Sequence, residues 1–223
     1  MRREVSLEEI SDGRLYELND MVKADCQDCA GCHDCCEGMG DSVVLDPMDV
    51  YRLSQGLGKS PTELVSAGWI QFDAMDGNIL PHLCMTGKNE SCVFLNAQGR
   101  CRIHSVRPGF CRLFPLGRYY ENGSFKYFLQ IHECKKQNRT KIKVKKWIDT
   151  PEAATNEQFI CDWHYLLKDA ERVIQEKKDD EVSKNWNLYL LKLFYMKPYQ
   201  MGEAFYPQFY QRYFEAREVL ERL

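Results

Sequence analysis

The chain has 223 residues, of which 44% are hydrophobic and 28% charged, with a formal charge of −3. That is enough for one substantial core, or a core and a small satellite, with an ordinary globular composition. The slight negative balance excludes a general pull toward nucleic acid or anionic membrane, and no run approaches the ~18 apolar residues of a membrane helix. The opening MRREVSLEEISDGR is charged throughout and lacks a signal-peptide core, so a cytoplasmic protein without nucleic-acid or membrane partners is expected.

Leu7, Ile10, Leu15, Leu18 and Met21 recur at roughly helical intervals and predict a short amphipathic helix through Lys23. Asp25 to Gly40 holds almost no apolar residue besides its cysteines, so hydrocarbon burial alone cannot order it. SVVLDP predicts a short strand, and Asp46 to about Leu57 a helix. Ser60-Pro61-Thr62-Glu63 is a capping box with proline at the first helical position, opening a helix that ends near Gly68. Two hairpins follow. CVFLNAQGRCRIH carries its turn at Asn96 to Gly99, and RYYENGSFKYFLQI has Asn122-Gly123 in the turn. Between them SVRPGFCRLFP predicts a helical turn broken by Pro115.

From Thr155, read as a capping box with Gln158, the pattern is helical to the last residue given. Phe159, Trp163, Leu166, Leu167, Ala170, Val173 and Ile174 make one apolar face. EKKDDE marks a break, a second helix carries Trp186, Leu190, Leu193 and Phe194, and a last one starts near Pro207. Its aromatic residues, among them Phe205, Phe209 and Phe214, are assigned to packing. The fold class expected is α+β: a small antiparallel sheet and hairpins with a metal-organised cysteine-rich loop region, flanked by helices, and an all-helical C-terminal part. A cysteine-cluster domain is expected over residues 1–150, with a helical extension over 151–223 packed on it.

Eleven cysteines carry the chemistry. In a reducing compartment thiols stay free unless metal or catalysis claims them, and a bridge between adjacent Cys35 and Cys36 would close a strained ring. Cys26, Cys29, Cys32, Cys35 and Cys36 fall in one short polar stretch, unlike the apolar surroundings of inert cysteines. Soft thiolates at C-x-x-C spacing select zinc, copper(I) or iron–sulfur clusters. Cys26, Cys29, Cys32 and Cys36 reproduce one ferredoxin run, with Glu37 in place of the usual proline and no second run. Adjacent side chains point apart, so Cys35 and Cys36 are expected to serve two metals, or a cluster and a second group.

Downstream stands SCVFLNAQGRCRIHSVRPGFCRLFPLGR. With it the chain resembles the YkgJ-type cysteine-cluster family of zinc- or iron-chelating domains. The family's C-x-x-C-x-x-C-C is matched by Cys29, Cys32, Cys35 and Cys36. Its second block is matched by Cys92, Cys101, Arg107, Pro108, Cys111, Arg112 and Pro115, and a further cysteine by Cys134. The resemblance covers about residues 25–135 and implies these eight cysteines as metal ligands, enough for two four-thiolate sites. The cofactor implied is an iron–sulfur cluster (4Fe–4S) or Zn2+, at one site or two. His104 stands where many members carry tyrosine and is an optional ligand; Cys26, Cys84 and Cys161 fall outside the pattern, and the last two are assigned to packing.

Four thiolates leave such a centre with a net charge near −2, which needs compensation. Arg107 and Arg112 are expected to donate hydrogen bonds to cluster sulfur or nearby carbonyls, while Arg100, Arg118 and the basic run KKQNRTKIKVKKW are read as solvated. Three functions fit these residues. The first is a cluster-binding protein in redox or metal handling, with metal ions as its partners. The second is an enzyme, since the resemblance extends to flagellin lysine methylases, which use S-adenosylmethionine; the chain lacks C-x-x-x-C-x-x-C and any glycine-rich nucleotide loop. The third is a structural zinc module whose aromatic helices bind a partner protein. No acid–base constellation is legible: His33, His82, His104, His132 and His164 are scattered, with His33, inside the cluster, the exception.

Overall fold

The structure, a computed structural model, describes residues 6–26, 32–136, 138–200 and 202–223. It is α+β. The N-terminal helix is a single turn, α1 (Leu7–Ile10), whose Ser6 side chain accepts from the Glu8 N–H. The chain then becomes extended in β1 (Ser11–Tyr16) and β2 (Met21–Asp25). The residues that read as a helical stripe do not share a buried face: Leu15 and Met21 are 41% and 48% exposed, while Tyr16, Val22 and Ala24 are buried. In β2 burial alternates, the period of a strand.

A 3-10 turn over Asp34–Cys36 is followed by α2 (Pro47–Leu57) and α3 (Pro61–Ser66). Both helices open on reciprocal capping boxes, Asp46 with Asp49 and Ser60 with Glu63, each with proline in the first turn. SVVLDP contributes one bridge, Val44 to His82, rather than a regular strand. Next comes a hairpin that the sequence reading passed over, β3 (Ile70–Met75) and β4 (Asn78–Leu83), turning at Asp76 (φ 47°) and Gly77 (φ 80°). Two left-handed residues make the tight turn that suits twisted antiparallel strands.

CVFLNAQGRCRIH does not form the ladder expected of it. Cys92 ends β6 (Ser91–Cys92), which pairs with β5 (Met85–Thr86), and Leu95 bridges Cys101 in isolation. The Asn96 side chain accepts from the N–H groups of Gln98 and Arg100, a local bond that competes with strand pairing. The helical turn before Pro115 is present as α4 (Gly109–Leu113). RYYENGSFKYFLQI forms β7 (Leu116–Glu121) and β8 (Ser124–Gln130) about Asn122 and Gly123, both left-handed. Then follow β9 (Thr140–Lys143), α5 (Val144–Ile148), α6 (Ala153–Lys177), α7 (Asp180–Leu191), a π-helical turn over Lys192–Met196, and α8 (Phe205–Glu221). Thr155 lies inside α6 rather than capping it. The break at EKKDDE is real: Lys178 is left-handed and Asp179 caps α7.

The contacts divide the chain into two compact units. The first comprises Met1–Gly40, Met85–His104 and Gly109–Cys161. It contains the sheet β1-β8-β7 and the pair β2-β9, over a core of Tyr16, Val22, Leu113, Leu116, Tyr127, Leu129, Val144 and Ile148. The second comprises Asp41–Cys84, Ser105–Pro108 and Asp162–Leu223. There Phe194 and Phe209 are completely buried, and the Trp163 ring meets Phe194 edge-on at 4.9 Å. Aromatic packing thus holds for Phe205 and Phe209, whereas Phe214 is 62% exposed.

The β3-β4 turn is anchored by buried Asn187 on α7. Its oxygen accepts from the Ile79 N–H at 2.6 Å, and its amide donates to the carbonyls of Gly77 (3.1 Å) and Ser183 (3.0 Å). Asn187→Leu strands the half-buried Ile79 N–H and removes the side-chain donor to the Gly77 and Ser183 carbonyls, at ~1–3 kcal/mol for each group shut off from water. We expect a loss of about 3 kcal/mol in urea unfolding; a change below ~0.5 kcal/mol, ordinary for a surface site, would show the turn to be held by packing alone.

Candidate metal centre

Every described cysteine expected to bind metal lies in the first unit. Cys29 lies outside the described residues. The two cysteine blocks are joined by main-chain contacts. Glu37 bridges Ser91, the Gly38 N–H donates to the Glu90 carbonyl at 3.1 Å, and the Ser91 hydroxyl donates to the Glu37 carboxylate at 3.3 Å. These bonds bring Cys36 beside the strand that ends at Cys92. The turn of the second block reaches back as well: a Cβ at Gly99 would stand 2.8 Å from His33 Nδ1.

Two groups of sulfur emerge. Cys36 lies within electrostatic reach of Cys35, Cys111 and Cys92, and Cys92 within reach of Cys101 and Cys35. Separately, Cys26, Cys32, Cys35 and Cys134 line one small cavity with Asp34, Phe114, Pro115, Lys135, Lys136 and Trp147. The 3-10 turn places Cys36 with the second-block sulfurs, whereas Cys35 lines this cavity and also stays within reach of Cys36 and Cys92.

The thiol of Cys36 is pushed well above its ordinary range, first by its hydrogen bond with Cys35, then by burial and the neighbouring sulfurs. Burial raises Cys92 and Cys32 too. The Cys32 thiol donates to Asp34 at 3.3 Å, and that bond, with Lys135 3.4 Å away, holds the Asp34 carboxyl below its usual range. Crowded thiols cannot ionise together without a compensating cation. That is the donor chemistry of thiophilic metals, whose binding displaces the protons. The sulfurs are gathered without being closed on a point: among the described residues no three His, Cys, Asp or Glu side chains already form a metal-holding group.

The cations are placed unevenly. Arg112 is buried and donates to the Asp149 carbonyl at 2.9 Å, and Arg107 belongs to the second unit. Arg102, one of the arginines that the sequence concentrates beside Cys101 and Cys111 but to which it assigns no individual role, favours the Cys92 thiolate by its charge and donates to the Val93 carbonyl at 2.6 Å; Lys135 beside Asp34 is the cation that sequence reasoning missed. Cys26, part of the ferredoxin-like run but outside the family pattern, lines the same cavity as Cys32, Cys35 and Cys134. Cys161 is buried and donates to the Gly123 carbonyl at 3.0 Å, and Cys84 lies in the second unit. His82 is a satisfied core residue, bonded to Asp73 at 2.7 Å and to the Leu83 carbonyl at 3.0 Å. No described helix is long and apolar enough to cross a membrane.

Gly99 has a left-handed backbone (φ 70°), so Gly99→Ala adds strain to the clash with His33. Gly123, also left-handed, has nothing within 4 Å of a Cβ and isolates the strain. We expect Gly99→Ala to cost about 1 kcal/mol more than Gly123→Ala in thermal unfolding. Equal losses would mean that the His33 ring yields freely.

Comparison with known proteins gives one family. The model described as CxxCxxCC, putative zinc- or iron-chelating domain, matches residues 28–140, just over half the chain. No curated protein and no solved structure matches.

Proposed function

The chain belongs to the CxxCxxCC family of zinc- or iron-chelating domains, and from that premise we propose that it holds two thiolate-bound metal groups serving redox or metal handling. Cys36, Cys92, Cys101 and Cys111 bind the first; Cys32 and Cys134, with Cys29 or Cys26, bind the second; Cys35 stands between and can complete either. The supporting observation is that Cys36 sits with Cys92 and Cys111 while Cys26, Cys32 and Cys134 line a separate cavity, with Cys35 in reach of both groups. An all-thiol donor set suits zinc or an iron–sulfur cluster, and the cluster would add one-electron chemistry.

The protein supplies compensation and shielding. Arg102 and Lys135 offset the negative charge, and Phe114 and Trp147 wall the second cavity. Arg112 holds the chain at Asp149 and so positions α4, which carries Cys111. Anaerobically purified protein tested for zinc, iron and acid-labile sulfide decides the reading. Sulfide with visible charge-transfer absorption assigns clusters, and zinc at about two per chain assigns two tetrahedral sites. Folded protein with neither metal refutes the proposal.

A further inference from the structure

The basic run after Cys134 is only partly used by the metal chemistry. Residues 135–146 hold seven cations and no carboxylate in a chain of net charge −3, so the remainder is markedly acidic. Lys135 and Lys136 line the cavity of Cys26, Cys32, Cys35 and Cys134, and Lys135 is paired with Asp34. Further along, the cations form an outer face. β2 and β9 pair antiparallel, with Val22 opposite Ile142 and Met21 opposite Lys143. Val22 is buried and Ile142 packs on the core, so the two-residue period of a strand turns Met21, Lys23, Lys141 and Lys143 outward. The row continues on α5, where Val144 and Ile148 are buried while Lys145 and Lys146 are exposed.

Five exposed lysines thus share β2, β9 and α5, and among the described residues none has a carboxylate within ion-pair distance. The carboxyls closest along the backbone are engaged elsewhere: Asp25 accepts from the Thr140 hydroxyl at 3.1 Å, and Asp20 from the Glu17 N–H at 2.8 Å. Like charges on paired strands are unfavourable. Lysine on a bare strand edge discourages stray pairing, which accounts for one or two on β9 but not for a row that crosses β2 and α5.

The face and the cavity are built from the same elements. β2 runs directly into Cys26, the basic run starts directly after Cys134, and α5 contributes Trp147, all three of which line the cavity. No aromatic ring is among the exposed residues of these elements, and the Trp147 ring N–H is bonded to the Phe114 carbonyl at 3.1 Å, so no platform for stacking bases is offered. A long polyanion would also meet the acidic remainder of the chain, whereas a compact carboxylate-bearing protein face meets the lysines alone. On the premise that those sulfurs hold a metal group, as proposed above, we infer that this lysine face docks the carboxylate-rich surface of a small acidic protein against the cavity wall.

The test uses the full chain, purified anaerobically with its metal, and an acidic plant-type 2Fe–2S ferredoxin as the probe, with duplex DNA as the rival polyanion. Anisotropy of the labelled ferredoxin should show saturable binding that weakens about tenfold between ~20 and ~200 mM salt. Lys143→Glu/Lys146→Glu should weaken it about tenfold and Lys143→Gln/Lys146→Gln about threefold, with melting temperature and metal content unchanged. Lys184→Glu/Lys192→Glu, the same charge change at exposed sites of the second unit, should alter it by less than about twofold. No saturable binding, equal losses in the two reversed variants, or DNA held more tightly than ferredoxin through Lys143 and Lys146 would each overturn the inference. Metal content separates the two readings: metal-free parent protein overturns the metal centre and this inference with it, while metal-bearing protein whose binding ignores these lysines overturns the inference alone.

Discussion

Cys36→Ser is expected to lower the metal bound per chain by about half, and Cys134→Ser to remove the other half, since a four-thiolate site rarely survives the loss of one soft ligand. The two residues are chosen because they belong to different groups. Cys36 has Cys111 and Cys92 around it, whereas Cys134 shares its cavity with Cys26, Cys32 and Cys35. A hydroxyl is smaller, harder and far less acidic than a thiol, so serine closes neither site. Metal binding in small thiolate domains is itself folding free energy, roughly 10–16 kcal/mol for a structural zinc. Each substitution should therefore also raise the susceptibility of the first unit to proteolysis, with Cys36→Ser the worse because its turn ties residue 37 to Ser91. The double substitution should carry no metal. A single substitution that empties both groups would mean one shared centre, and the partition about Cys35 would fail. Cys161→Ser serves as the control, because its sulfur bonds the Gly123 carbonyl and belongs to neither group.

Much of this centre is written in local spacing. C-x-x-C steps and a vicinal pair among polar residues name the chemistry before any fold is known, and the family match carries the same assignment. The partners that complete the groups are not local. Lys135 meets Asp34 across a hundred residues of chain, and Arg102 acts on Cys92 through a turn whose geometry Asn96 sets. Secondary structure shows the same division. The Ser60 capping box and the Asn122-Gly123 turn are decided by bonds within four residues, and both stand as read. The N-terminal stretch failed because apolar spacing alone cannot say which residues will meet a core. Leu15 and Met21 face outward, and the pairing of β1 with β8 and of β2 with β9 overrides a weak helical period. The β3-β4 hairpin did carry a signal in Asp76-Gly77, weakened by Pro81, which a two-stranded ladder tolerates. Asn187 closes that turn from a distant helix, as no local pattern could announce.

Arg212 leads to the largest stability effect expected in the second unit. Its side chain enters from α8 and is almost wholly buried at 5% exposure. One guanidinium nitrogen donates to the carbonyls of Leu193 (2.9 Å) and Lys197 (2.8 Å), and the other to that of Pro198 (2.7 Å). These carbonyls lie at the end of the π-helical turn, where helical bonding runs out and acceptors lack partners. The cation thus ends one helix and stacks on Tyr199. Arg212→Leu leaves three carbonyls without a donor in a buried place. It should cost about 3–5 kcal/mol, the range for breaking a buried charged network, and lower the melting temperature by on the order of 10 °C. Arg212→Lys keeps the charge but replaces a planar fork by a point donor, so about half the loss should remain. Urea unfolding followed by tryptophan fluorescence reads both, since Trp163 and Trp186 lie in the same unit. A leucine variant within 1 kcal/mol of the parent would show that these carbonyls find other donors.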